Sequence, residues 1–282
     1  MFDSIAPGYD AFNHLTSLGA DRHWRKAALR EIVGSRVLDE ACGTGDFAIA
    51  IARRLERCPA GIRNVSNVQK NCTLGAKTPL KRSQRPEKLH VGHSTEGKKG
   101  RQCHREAEPG SWSVTGVDIS EGMLEVMRRK LAETGLDQNG AAARCGRVSA
   151  ETGDCCALKY QDASFDTVTV AFGVRNFENR EKALTEALRV LRHGGRFVML
   201  ELGIPQNRLA AWLFKIYFTR ITPLIGGGLS GNRDAYRYLP ASVLAFPKPD
   251  EWLDTMKKAG FANLRHRSLS LGICNLFVGE KR

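Results

Sequence analysis

Val37-Leu38-Asp39-Glu40-Ala41-Cys42-Gly43-Thr44-Gly45-Asp46 reads as a short buried strand ending in acidic residues, then a glycine turn that opens a helix. Gly43 and Gly45 carry no Cβ, so the backbone there can press close to a ligand. A helix starting at Asp46 aims its free N–H groups toward the same place. The stretch therefore predicts a nucleotide-type cofactor site at the end of a first parallel strand, with Asp39, Gly43, Thr44 and Gly45 as binding residues. The glycines alone do not exclude a dinucleotide, because Ala48 could serve as the third small residue of that fingerprint.

The rest of the chain alternates strand and helix. Apolar spacing predicts a helix over Trp24–Val33, a first strand over Arg36–Asp39 and a helix from Asp46 to about Leu55. A second strand over Ser113–Asp118 leads to a helix ending near Thr134, with Ser120 as its N-cap. A weakly marked third strand lies near Gly146–Glu151, and Phe165–Phe172 is a clear fourth. A helix over Glu178–Leu191, with His193-Gly194-Gly195 as its C-cap turn, precedes a fifth strand over Arg196–Glu201. Helical patterns at Gln206–Ile225 and Pro249–Ala259 and two last strands finish the chain. This rhythm predicts an α/β fold: a doubly wound, mostly parallel, Rossmann-like sheet with a C-terminal antiparallel strand pair.

All 282 residues read as one domain interrupted at 56–111. That segment is rich in Lys, Arg, Asn, Ser, Gly and Pro and has neither helical nor strand period, as expected of a low-order surface insertion. It holds twelve Lys/Arg against five Glu, so it supplies +7 of the net charge of +13. The remaining body is only mildly basic, which argues against nucleic acid as the partner. Cys58, Cys72, Cys103, His90, His93 and His104 do not match the spacing of zinc ligands, and no metal is expected. Neither a signal peptide nor a membrane-spanning run is legible, so the reading is cytoplasmic, with the eight cysteines as reduced thiols.

Asp118 ends the second strand, where a carboxylate accepts the ribose hydroxyls of a cofactor lying over the first. It follows Gly45 by 73 residues, or by 17 once the 56-residue insertion is removed; the usual spacing is about 20. Gly153-Asp154-Cys155 follows the third strand, where an adenine would lie; the Asp154 carboxylate can accept from its amine, and the adjoining backbone N–H can meet a ring nitrogen.

The turn itself resembles that of the class I methyltransferases, which bind S-adenosylmethionine. The resemblance narrows with Met1-Phe2-Asp3-Ser4-Ile5-Ala6, Tyr9-Asp10, Asn13, Trp24-Arg25 and Asp118-Ile119-Ser120. It narrows further with Phe172-Gly173-Val174-Arg175-Asn176-Phe177, Leu191–Glu201, Tyr236-Arg237-Tyr238-Leu239-Pro240 and Phe246-Pro247. These resemble the ubiquinone/menaquinone-biosynthesis C-methyltransferases. The resemblance implies methyl transfer from S-adenosylmethionine to a ring carbon of a polyprenylated quinol: demethylmenaquinol first, a 2-polyprenyl-6-methoxy-benzoquinol as the alternative. Departures fall at Cys42, at Cys155-Cys156 and at Lys159, mostly on the adenine side.

Within that reading Arg175 and Asn176 stabilise an oxyanion and hydrogen-bond a ring oxygen. Arginine stays protonated and is no base; the competing reading of Arg175 is an ion pair that staples the loop. Tyr9 and Asp10 belong to an N-terminal lid, with Asp10 a candidate proton acceptor. Leu209, Trp212, Leu213, Ile216, Tyr217, Ile221 and Leu224 form an apolar stripe beside basic residues. It is either a core face or a lipid-chain groove that touches the membrane surface. Rival readings are an RNA methyltransferase and a non-catalytic cofactor-binding subunit. A homo-oligomer is compatible with the sequence.

Overall fold

Successive residues of a strand face opposite sides of a sheet, and in the computed structural model this alternation divides the core in two. The structure describes residues 6, 9–57, 111–137, 146–221 and 233–282, with the backbone alone for Ile221 and 233–238. Helices α1 (Tyr9–Thr16) and α2 (Ala20–Leu29) lead into strand β1 (Arg36–Glu40), α3 (Asp46–Arg57), β2 (Trp112–Asp118) and α4 (Glu121–Thr134). Then come β3 (Gly146–Thr152), β4 (Phe165–Ala171), α5 (Arg180–Val190), β5 (Leu191–Leu202) and α6 (Arg208–Ile216). Helices α7 (Arg233–Leu244) and α8 (Pro249–Lys258) and strands β6 (Ala262–Leu269) and β7 (Cys274–Glu280) close the chain.

The strands form one sheet in the order β3-β2-β1-β4-β5-β7-β6, with β7 antiparallel to both neighbours and all other pairs parallel. Val37, Val114, Val198 and Val278 pack on one face under α2, α3 and α4. Leu38, Val168, Phe197 and Phe277 pack on the other under α5 and α8. The expected α/β architecture and its antiparallel C-terminal pair are both present. Because β2 and β4 flank β1 on opposite sides, the connections diverge at its C-terminal end and leave a crevice there. Asp39, Asp118 and Glu201 all sit at the ends of strands that open onto it.

Two local expectations need correction. The helix placed at Trp24–Val33 runs instead over Ala20–Leu29. Ile32 and Val33 are buried, which gave them a helical look, but they lie in the connection to β1, where Val33 exchanges two hydrogen bonds with the Thr167 hydroxyl. Likewise His193-Gly194-Gly195 is no C-cap. Helix α5, capped by the Asn179 side chain on Lys182 N at 2.9 Å, ends at Val190, and the fully buried Leu191 is already extended and paired with Phe165. The glycines form an irregularity within β5, before Arg196 pairs with Thr167, and Gly194 N donates to Lys281 O. The Ser120 cap stands, accepting from Met123 N. Helix α3 extends to Arg57, two residues into the segment assigned to the insertion; 58–110, with the candidate zinc ligands, lie outside the described residues.

Candidate active site

The turn after β1 is shaped by two left-handed glycines, Gly43 at φ +55° and Gly45 at φ +80°. A Cβ on Gly45 would lie 2.4 Å from Met127 Cγ of α4, whereas one on Gly43 would meet nothing within 4 Å. Gly45 therefore lets α3 and α4 approach, and Gly43 leaves open space beside the turn. Gly43 N donates to Asp118 Oδ2 at 2.8 Å, and Asp118 Oδ1 accepts from Ser120 N at 2.9 Å. One carboxylate at the end of β2 thus ties two turns together.

Asp39 is 1 % exposed. Its Oδ1 accepts from the Thr169 hydroxyl at 2.6 Å, while Oδ2 has no hydrogen-bond partner among the described residues. Burial pushes this carboxyl up to about 7, against the Thr169 hydroxyl and the Arg25 charge. Asp10 reaches the turn from α1: Oδ1 accepts from Thr44 Oγ1 at 2.5 Å and Oδ2 pairs with Lys130 Nζ at 2.5 Å. Lys130 also holds Asp46, at 2.6 Å.

Two neighbouring cavities result. The inner one, about 410 Å³ with its mouth, is lined by Asp10, Asp39, Gly43, Thr44 and Asp46 among others. The outer one, about 580 Å³, is walled by Trp24, Arg175, Leu202, Phe214, Phe218 and Ile273 among others. Tyr9, Asn13, Arg25 and Phe172 line both. A polar chamber suited to a charged ligand therefore abuts an apolar one suited to a ring, with the Phe172 and Trp24 rings 6.0 Å apart at the boundary.

Arg175 lies in a single 3₁₀ turn, Val174–Asn176, after β4. Its Nη1 donates to Glu201 Oε1 at 2.6 Å and to Phe172 O at 2.5 Å, its backbone N donates to Glu201 Oε2, and its Nε is buried without a partner. The stapling ion pair is therefore real, and Arg175 still reaches the outer cavity.

Comparison with known proteins decides what this arrangement belongs to. The model of the ubiE/COQ5 methyltransferase family matches residues 1–281. The chain belongs to that family. It is 36 % identical over 284 residues to the ubiquinone/menaquinone biosynthesis C-methyltransferase UbiE of Geobacter sulfurreducens, covering all of this chain and 87 % of the relative. It is 35 % identical to the demethylmenaquinone methyltransferase of Thermus thermophilus, covering 100 % of both chains. In fold it is similar to a SAM-dependent methyltransferase of Thermotoga maritima, a possible histamine N-methyltransferase, at a TM-score of 0.57 and 15 % identity, covering 100 % of both chains.

For a methyltransferase of this family the geometry gathers Tyr9, Asp10, Asp39, Gly43 and Thr44 around the inner cavity and sets Arg175 in the wall of the outer one. Gly45, Asp118, Asp154, Cys155 and Asn176 line neither cavity. Asp154 is exposed, its Oδ1 accepting from Cys156 N at 2.7 Å. The Cys155 side chain is buried in the α5 side of the core, where burial and the nearby Glu40 carboxyl push its thiol well up. Asn176 keeps a buried Oδ1 without a partner.

Residues that local reading of the chain did not single out are Glu201, Lys130 and Arg25. Glu201 ends a strand in a carboxylate as Asp39 and Asp118 do, a signal that was available. Lys130 lies on a helix face that reads as solvated, and nothing local reveals its two partners. The apolar stripe is not a core face: Leu209, Trp212 and Leu213 are 66 %, 60 % and 54 % exposed. Its periodicity marked a face without marking what covers it; Leu224 lies outside the described residues.

Proposed function

We propose that this methyltransferase moves the methyl group of S-adenosylmethionine to a ring carbon of a polyprenylated quinol, with demethylmenaquinol as the preferred substrate. The observation that carries the reading is the pair of adjoining cavities with four common wall residues, one polar and one apolar, in a chain of this family. The residues fit the methyl donor: a turn in which Gly43 leaves open space where a Cβ would stand, a buried carboxylate oxygen without a partner among the described residues, and an acidic lining suited to a ligand of net positive charge. Gly43, Thr44 and Gly45 would hold it against the turn, Asp118 at its ribose, and Asp154 with the Cys155 backbone at its adenine. When bound, the donor supplies a methyl group on a sulfonium, an electrophile that needs alignment more than activation.

The ring must then be made nucleophilic. Phe172 and Trp24 confine it beside the inner cavity. Arg175, held by Glu201, presents fixed positive charge to the oxygen that gains electron density as a ring hydroxyl gives up its proton. Asn176, next to Arg175 in the same turn, is the candidate partner of the second ring oxygen. Asp10 is the candidate proton acceptor, its two oxygens also accepting from Thr44 and pairing with Lys130.

The polyprenyl chain needs an apolar exit. A groove lined by Ile204, Trp212, Phe214, Phe218 and Leu244 shares Phe214 and Phe218 with the outer cavity. Beyond it the exposed Leu209, Trp212 and Leu213 sit among Arg208, Lys215 and Arg220, with no acidic residue from Gly203 to Ile221. That surface suits transient contact with an anionic lipid surface. Among the described residues no helix is long and apolar enough to cross a membrane.

The test is a competition between reduced demethylmenaquinol and the 6-methoxy-benzoquinol analogue, read as kcat/KM for each. Preference for the naphthalene ring is expected. Transfer to the benzoquinol alone would reverse the substrate assignment, and transfer to neither would refute the quinol reading.

A further inference from the structure

Methylation of a ring carbon releases a proton. The methyl–sulfur bond breaks with its electron pair kept by sulfur, so a cationic donor ends as a neutral thioether. A carbon–carbon bond forms, and the ring carbon then loses its proton while the C–H electron pair returns to the ring. A hydroxyl proton lent to Asp10 can be returned afterwards, but the ring-carbon proton has to reach water on every turnover. Among the described residues, the wall of the outer cavity holds one carboxylate, Asp21, and two guanidiniums, Arg25 and Arg175, which stay protonated. Asp21 is buried, and its Oδ1 lies 3.1 Å from His14 Nδ1. His14 does not line the cavity, and its side chain is 44 % exposed. A carboxylate in the chamber wall is thus bonded to an imidazole at the surface.

The sequence between the two residues builds this contact. Helix α1 ends at Thr16, and Gly19 N donates to His14 O at 2.9 Å with Gly19 at φ +76°. A Cβ on Gly19 would stand 3.4 Å from His14 Cε1, so the turn closes against the imidazole. The chain then re-enters a helix with Asp21 in the first turn of α2. The Tyr217 hydroxyl donates to Thr16 O at 3.1 Å and ties the turn to the residues after α6.

Asp21 is held at both oxygens. Oδ2 accepts from Arg25 Nη1 at 2.6 Å, and Oδ1 accepts also from the Ser17 hydroxyl at 2.9 Å. Ser17 lines the outer cavity too, so a hydroxyl, a carboxylate and an imidazole form one hydrogen-bonded row from chamber to solvent. Histidine suits the outer end, because one ring nitrogen can gain a proton while the other gives one up.

We propose that Asp21 and His14 are the exit route of the proton released in methyl transfer: it reaches the Asp21 carboxylate from the chamber, passes to His14 Nδ1 and leaves from Nε2 to water. This rests on the quinol reading above and adds the path by which its proton departs. His14 touches neither ring nor donor and acts through Asp21. Its charge is the same before and after each turnover, and exchange with water resets the tautomer. Burial would raise the Asp21 carboxyl, but Arg25, Ser17 and His14 outweigh that and hold it below the usual range. A proton arriving there is passed on rather than kept.

Steady-state methyl transfer to reduced demethylmenaquinol by the full-length protein tests the route. His14→Ala should lower kcat about 10- to 100-fold and leave KM for donor and quinol within about twofold. Imidazole added at fixed pH and ionic strength should raise the His14→Ala rate at least about fivefold, while acetamide should not. His14→Gln keeps a donor for the Asp21 carboxylate but cannot pass a proton through, so it should be as slow as His14→Ala. Three results overturn the inference: a His14→Ala enzyme within about twofold of the parent, a loss that imidazole does not relieve, or a His14→Gln enzyme as fast as the parent. In each of them the quinol reading stands, because the parent still transfers methyl. A parent enzyme that methylates neither demethylmenaquinol nor the benzoquinol analogue takes down the inference and the reading together.

Discussion

Replacing Arg175 by alanine should destabilise the protein before it says anything about catalysis. Glu201 is 0 % exposed and Arg175 6 %, and the two are joined at 2.6 Å. Among the described residues, the Glu201 carboxylate accepts besides Arg175 Nη1 from the backbone N–H groups of Leu202 and Arg175, at 2.9 and 3.1 Å. Removing the guanidinium leaves a buried carboxylate without its counter-ion, a change that costs about 3–5 kcal/mol. Against a total stability of about 5–15 kcal/mol that is a large fraction. At about 2–4 °C per kcal/mol for a chain of this size, the midpoint should fall by roughly 6–20 °C. In the double variant Arg175→Ala/Glu201→Gln the lone charge is gone and a side-chain oxygen remains for one of the backbone donors, so at least half of the loss should return. Urea unfolding followed by circular dichroism measures all three proteins. Methyl transfer is then assayed at a temperature where each is folded. Restored stability without restored turnover assigns Arg175 to the chemistry; restored turnover reduces it to a staple. A single variant within about 1 kcal/mol of the parent, or a double variant no more stable than the single, would refute the reasoning.

Alanine at Gly45 should cost more than alanine at Gly43 in thermal unfolding. Both pay about 1–2 kcal/mol for a left-handed backbone, but only Gly45→Ala drives a Cβ to 2.4 Å from Met127 and adds about 1–3 kcal/mol of overpacking. Asp39 gives stability a sign with pH. Its carboxyl rises from 3.8 unfolded to about 7 folded, so the folded state holds the extra proton between those values. The Asp39 contribution to the stability of the ligand-free protein should fall as pH rises through that window, by up to about 4 kcal/mol. Asp39→Asn should flatten the slope there, and Glu40, which burial also raises, adds a fall of the same sign. Trp212→Asp should change stability by less than about 0.5 kcal/mol, because the side chain is exposed, yet reduce co-sedimentation with anionic vesicles. Unchanged sedimentation would remove the lipid-contact role.

Much of the architecture was legible because buried parallel strands announce themselves as apolar runs. Val37-Leu38, Phe165–Ala171 and Phe197–Leu200 each fill both faces of the sheet, as does β7. The carboxylates at the strand ends and the glycine turn were legible because strand ends, glycine turns and caps are local. What depended on distant partners was not. The Asp39 carboxylate is bonded by Thr169, 130 residues on, and that of Asp10 by Lys130. Helix boundaries moved where burial and helicity part company, as at Ile32 and Val33, and the glycine pair at 194–195 mimicked a cap because the helix passes straight into the sheet at Leu191. The Leu209–Ile216 stripe had the right period for either of two environments, and only the fold shows that no core covers it.

Carbon transfer to a quinol ring is the claim on which the rest depends. The protein should be incubated with S-adenosylmethionine carrying a carbon-labelled methyl group and with chemically reduced demethylmenaquinol, and the recovered quinol examined by carbon NMR. A labelled methyl bonded directly to the ring is expected, with loss of the ring proton at that carbon. A labelled methoxyl, or an unlabelled quinol from protein that demonstrably binds the methyl donor, would contradict it.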